Sequence, residues 1–134
     1  MRKNTYTGKY RLTKNEYLSA YYFALRYNEW IDKYESLSNG LGASSNDGQP
    51  KSSAIGNPTE KIGSMMAELK DKIEKVENTI KETDEALYPY LLKAVTNECI
   101  TYNYLQMVMS IPCSRGTYYD RRRKFYYLLS KKIK

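Results

Sequence analysis

The chain predicts an all-α fold, a long helical hairpin or coiled coil followed by a C-terminal helix-turn-helix. Three observations carry that expectation. Apolar residues recur at spacings of three and four along most of the chain. Hydroxyl residues that cap helices, Thr13, Thr101 and Ser114, stand directly before such runs. The stretches between runs hold helix-ending residues, with Gly40, Gly42, Gly48, Pro50 and Gly56 in one and Pro112 in another. At 134 residues there is room for one small domain with a helical extension.

Residues 1–12 are polar and basic and predict a flexible N-terminus. Thr13 followed by Glu16 fits a capping box, in which hydroxyl and carboxylate each satisfy a first-turn amide. Behind it Leu18, Tyr21, Tyr22, Leu25, Asn28, Ile31, Tyr34 and Leu37 lie on one face of a helix running to about Ser38. Asn28 reads either as an exposed edge residue or as a polar position that sets the register of a helix pair. Residues 38–57, rich in Gly, Ser and Asn, hold too little apolar surface to offset the entropy of ordering and predict a linker. As a coil it spans about 22–27 Å, enough for the first helix to fold back on its own chain or to pack on another copy.

Asn57 is placed to cap the second long helix, with Pro58 at its first position and Glu60 in its first turn. Ile62, Met66, Leu69, Ile73, Val76 and Ile80 then follow at gaps of 4, 3, 4, 3, 4, an a/d heptad seam between charged flanks. Such a seam must meet another apolar stripe, either the first helix in an antiparallel hairpin or a second copy of the chain. Residues 13–83 are therefore the hairpin or coiled-coil region, and residues 84–134 the helix-turn-helix domain.

In that domain Asp84 opens a segment with Leu87, Tyr88, Leu91, Leu92 and Val95 on one face. Pro89 lacks an amide, so regular helix is expected from about Ala86 to Tyr88 onward, ending at Thr96-Asn97-Glu98. Thr101 caps a short helix whose Leu105, Val108 and Met109 point to one side, and Ser110-Ile111-Pro112 breaks it. Ser114 caps the last helix, where Gly116 permits close backbone approach. Tyr118, Arg122, Phe125, Leu129 and Ile133 form its apolar face, with Leu128 beside them.

The formal charge of +7 is unevenly placed. Residues 110–134 carry eight cationic residues against one acid, whereas residues 1–109 carry 14 of each. A polyanion contacting the last helix is the natural reading, because phosphate neutralisation with counterion release drives nonspecific affinity for DNA. A recognition helix reads the major groove with its first turns, which brings Ser114, Arg115, Thr117, Tyr119, Arg121 and Arg122 into range. Arg123 and Lys124 join them as phosphate partners, and the helix before the turn brings Thr101 and Tyr102 near the backbone. Tyr118 falls on the apolar stripe and is assigned to the core.

An enzyme is not expected. The chain has no histidine to serve as a neutral-pH base, and nothing resembles a P-loop, a GxSxG turn or a dinucleotide fingerprint. Cys99 and Cys113 are isolated, so no metal, disulfide framework or cofactor is expected, and both read as reduced, buried or semi-buried thiols of a cytoplasmic protein. No apolar run follows the basic N-terminus, and none approaches transmembrane length.

Residues 88–133, with Ile100-Thr101-Tyr102, Met109-Ser110-Ile111-Pro112 and Tyr118-Tyr119-Asp120-Arg121-Arg122-Arg123-Lys124-Phe125, resemble the C-terminal part of phage-encoded transcriptional activators of the RinA and ArpU type. The run from Leu12-Thr13-Lys14 to Tyr34 and the heptad helix are similar to phage and prophage open reading frames of Firmicutes with this tail. The resemblance implies a regulator of late phage genes with a tail akin to the promoter-recognising domain of sigma factors. Arg122 stands where the sigma-like pattern has an aliphatic residue, which predicts a rim position with the stem over the core and the head toward phosphate. The expected function is that of a DNA-binding transcriptional regulator acting on double-stranded DNA as a homodimer, with host RNA polymerase as a further partner and no membrane. The rivals are a helical phage adaptor or anti-repressor that binds protein through residues 17–37, and a DNA-packaging factor of the terminase small subunit kind.

Overall fold

The structure is a computed structural model and describes residues 8–44 and 58–134. Its regular elements are α1 (Lys14–Leu25), α2 (Tyr27–Ser44), α3 (Pro58–Asp84), α4 (Tyr88–Val95), α5 (Tyr102–Met109) and α6 (Arg115–Lys132), with 3-10 turns at Gly8–Tyr10 and Glu85–Leu87. The fold is all-α, with no strand among the described residues. Among these helices none is long and apolar enough to cross a membrane.

The chain forms two compact units, one of residues 28–74 and one of residues 1–27 with 75–134. In the first, the Trp30 ring is buried, with the Lys72 ammonium 5.7 Å from its centroid. Leu69 and Ile73 of the heptad seam are buried here, while Ile62 and Met66 are only half-buried. Asn28 is exposed, as the edge reading expects. Helix α2 runs on to Ser44, so residues 38–44, assigned to the linker, are helical. The remainder of that linker and the Asn57 cap lie outside the described residues.

The second unit assembles around α6. Tyr118, Phe125, Tyr126 and Leu129 are fully buried, and α1 packs along α6. Tyr17 meets Tyr126 edge-on at 5.2 Å between centroids, and Tyr21 lies 6.2 Å from the same ring. The Thr13–Glu16 capping box forms, with bonds of 3.0 and 3.1 Å. The expected single helix from Thr13 to Ser38 instead breaks at Arg26, whose amide turns back to the Phe23 and Ala24 carbonyls. The buried line of α1 is also different: Ala20 and Ala24 are wholly enclosed, whereas Tyr22 is exposed. Alanines let helix backbones approach closely when the opposing surface is already filled by large rings.

The N-terminal stretch is ordered where it is described. Residues 8–10 form a 3-10 turn against α6, and Leu12 is buried, which corrects the expectation of flexibility across residues 8–12; residues 1–7 lie outside the described residues. Val76 and Ile80 continue the seam of α3 into this unit and are fully enclosed. Thr79 and Thr83 are buried beside them, each donating its hydroxyl to the carbonyl one turn back, at 2.6 and 2.8 Å, so neither polar group is stranded. Glu85–Leu87 supplies the irregular start expected before Pro89, and α4 ends at Val95 as expected.

Candidate nucleic-acid interface

Helices α5 and α6 are joined by residues 110–114, and local chemistry fixes each bend. Thr101 caps α5 by accepting from the Tyr104 amide at 3.1 Å. Ser110 ends the helix in the left-handed region at φ 56°, its amide returning to the Gln106 and Leu105 carbonyls. Ile111, next in the chain, is buried and anchors the connection to the core. Ser114 caps α6, accepting from the Thr117 amide at 3.2 Å and donating its own hydroxyl to Thr117 Oγ1 at 3.1 Å. A further brace crosses the turn, where the Tyr102 hydroxyl donates to the Cys113 carbonyl at 2.5 Å.

That brace corrects the expectation for Tyr102. The side chain is buried, its ring 5.9 Å from Tyr118 and its hydroxyl bonded, so it holds the two helices together rather than facing a ligand. Thr101 and Ser114 are exposed, but their hydroxyls serve first as caps. Thr117 and Tyr119 are half-buried, with the Tyr119 ring 4.7 Å from that of Tyr118 and edge-on to it. Of the α5 residues assigned to one side, Leu105 is buried and Met109 half-buried, whereas Val108 is 62% exposed; Met107, outside that set, is 82% exposed.

The arginines divide sharply. Arg115 is exposed at the start of α6, donates to Asn103 Oδ1 at 2.8 Å and lies 5.0 Å above the Tyr102 ring. Both partners are neutral, so the guanidinium is positioned and keeps its full charge. Arg121 instead donates from Nε to Asp84 Oδ2 at 2.9 Å and from an amino group to Asp120 Oδ2 at 2.6 Å. The Asp84 hydrogen bond raises its pKa further, ahead of a smaller opposing effect of burial. Asp84 also accepts from the Ala86 amide at 3.1 Å, so the pair fastens α6 to the end of α3. An arginine held by two carboxylates reaches a base only after leaving both.

Arg122 occupies the rim, half-buried, with its guanidinium 5.5 Å from the Tyr126 centroid. Arg123 and Lys124 are half-buried on the side of α6 away from Phe125 and Leu129. Farther along, Lys132 pairs with Glu82 at 3.0 Å. Cys99 is exposed, contrary to the reading of both thiols as buried or semi-buried, and has a left-handed backbone at φ 63°. Cys113 is half-buried, and burial, with Asp84 nearby, pushes its thiol up against a smaller opposing effect of Arg121. Among the described residues no cluster of three potential metal-binding side chains occurs.

Two contributors escaped the sequence reading. Asn103 has no motif around it, and only the crossing of α5 and α6 brings it to Arg115. The other is the size of the N-terminal charge excess, which the reading of residues 1–12 as basic did not count. Residues 1–27 hold six cationic residues and one acid, an excess concealed by the zero balance of residues 1–109 as a whole. Over the two stretches 1–27 and 75–134 there are 17 cationic and 7 acidic residues, +10, whereas residues 28–74 hold 5 and 8, −3. No protein family, curated protein or solved structure matches the chain.

Proposed function

We propose that the chain is a DNA-binding transcriptional regulator of the phage late-gene activator kind, in which α5, residues 110–114 and α6 act as a helix-turn-helix and α6 reads the major groove. The observation that carries this reading is Arg115, fully charged, exposed and held by neutral Asn103 and Tyr102 at the capped start of α6. An arginine so placed suits a bidentate contact with guanine O6 and N7. The segregation of charge, +10 against −3, supports it by giving one unit the field that draws in a polyanion. Thr101, Ser114, Thr117 and Tyr119 border Arg115 as polar contacts, while Arg122, Arg123 and Lys124 serve phosphates.

Arg121 has a different part in this reading: it orients α6 through Asp84 instead of reading bases. The exposed Met107 and Val108 on α5 favour a protein contact in the same function, and host RNA polymerase is assigned to them. A homodimer belongs to the same proposal, with Ile62 and Met66 as the part of the heptad seam that the chain leaves half-covered. The protein acts in the cytoplasm of the bacterial host.

Selection of bound duplexes from a random library tests the reading directly. An enriched site is expected, with Arg115→Ala lowering affinity for it about tenfold or more, equivalent to ~1–3 kcal/mol for a lost bidentate contact. Circular dichroism of that variant should match the parent. Failure to retain any duplex at low salt would sink the proposal.

A further inference from the structure

Arg115 opens α6, yet the two groups that hold it both belong to α5. Asn103 Oδ1 accepts a hydrogen bond from the Nη2 amino group of Arg115 at 2.8 Å, and the Tyr102 ring centroid lies 5.0 Å from the guanidinium carbon. That ring is a fixed support, because Tyr102 is buried and its hydroxyl donates to the Cys113 carbonyl. Asn103 and Arg115 are both exposed. An exposed arginine otherwise samples many rotamers of similar energy, and a bond on one side with a ring on another selects among them.

The bond to Asn103 leaves the arginine able to read. A guanidinium donates pairs of parallel hydrogen bonds from two edges, one between its amino groups and one between Nε and Nη2. Nη2 contributes a different hydrogen to each edge. A single acceptor on Nη2 therefore occupies one edge and leaves the other whole for the O6 and N7 of guanine. The charge survives too. Arg121 shows the alternative, since its acceptors are the carboxylates of Asp84 and Asp120, which neutralise it as they orient it. The amide of Asn103 accepts the same kind of bond with no charge of its own.

We infer that Asn103 is a positioning residue for sequence recognition: it fixes the Arg115 guanidinium across the junction of α5 and α6, and so sets how strongly the protein prefers guanine at one position of its site. The inference rests on the DNA-binding reading above and extends specificity to a residue outside the recognition helix. Asn103 acts on the choice of base and not on the attraction to phosphate. Its loss therefore leaves binding to unrelated duplex, and the dependence of that binding on salt, as they are.

The test compares the full chain with Asn103→Ala and Asn103→Asp on the duplex that the parent selects and on single-base changes of it. The position to watch is the guanine whose preference Arg115→Ala abolishes. There Asn103→Ala should reduce discrimination about two- to tenfold, the range for freeing one long side chain, and leave affinity for unrelated duplex and its salt slope unchanged. Asn103→Asp keeps the bond but turns it into an ion pair beside the phosphates, so it should lower affinity for the selected duplex about tenfold or more, to the level of Arg115→Ala. NMR relaxation of the Arg115 Nε–H reads the positioning without DNA: this group should be rigid in the parent and in Asn103→Asp, and mobile in Asn103→Ala. Melting temperatures matched to the parent certify the fold of both variants. Equal base discrimination in the parent and Asn103→Ala, or equal Arg115 mobility, overturns the inference and spares the DNA reading. A parent that retains no duplex overturns both.

Discussion

The two ends of α6 belong to one helix yet face different surroundings. Residues 115–124 carry a cap, an exposed Arg115 and mostly polar side chains around the one fully buried Tyr118, while residues 125–132 place Phe125, Tyr126, Leu129 and Ser130 in the core, with α1 packed along the helix. The cationic residues of the two parts, five in residues 115–124 and two in residues 125–132, therefore meet different partners. At the start, Arg115 rests on neutral Asn103 and Tyr102 while Arg121 is tied to Asp84 and Asp120; toward the end Lys132 pairs with Glu82 and Lys131 lies on Tyr127. The contrast teaches that the charges of one basic helix are sorted by what the fold sets beside each of them.

The sharpest way to break this contrast is to truncate one residue from each part. Phe125→Ala should cost about 3–5 kcal/mol in urea denaturation, a large share of a small domain's stability. Lys124→Ala, its neighbour on the outward side, should change stability by no more than about 0.5 kcal/mol. Equal costs would mean that the two faces of α6 are not distinct.

Alkali probes the packed end more globally. Burial is the first cause of the raised pKa of Tyr21, Tyr27, Tyr88 and Tyr118, with the Glu77 hydrogen bond second for Tyr27. A folded pKa above the ordinary 10.0 means that the fold favours the protonated phenol. Its contribution is whole below pH 10.0 and is lost as pH climbs through the raised folded values. Tyrosinate absorbance and helical circular dichroism should therefore change together above pH 10.0. Full tyrosine ionisation with helix content intact would show that the aromatic cluster is not the core.

A smaller effect separates the two arginines. A double-mutant cycle of Asp84→Asn with Arg121→Ala should return a coupling of about 1 kcal/mol or less, because the pair is partly exposed, and salt should shrink it. The corresponding cycle of Asn103→Ala with Arg115→Ala should show coupling that salt leaves alone. Smaller still is the turn itself. Ser110→Gly should raise stability by about 0.5–1 kcal/mol, since glycine adopts the left-handed conformation at φ 56° without a Cβ penalty. A loss of stability there would show that the Ser110 side chain supports the bend.

Much of the chain's punctuation could be read from residue types alone. The capping box at Thr13, the caps at Thr101 and Ser114, the break after Met109 and the late start of α4 at Pro89 all depend on groups within a few residues of one another. A hydroxyl satisfies a nearby amide wherever the rest of the chain goes, which is why such signals survive without tertiary knowledge. The periodicity of α3 was legible for the same reason, because a heptad seam is a property of one helix.

The packing was not legible, because it depends on which faces meet. Ala20 and Ala24 carry little hydrophobic weight of their own and became the buried line of α1 only because α6 and its rings lie across it. The sequence by itself determined an all-helical chain, the ends of its helices and a basic C-terminus. Only the tertiary structure decided what each of those cations meets: it tied Arg121 to Asp84, left Arg115 on neutral partners, and set Tyr10, with Lys9 over its ring, against Tyr127 more than a hundred residues along the chain. Charge is written locally, but whether it is neutralised depends on what folding brings within a few ångströms, and Coulomb attraction at that range outweighs anything composition records.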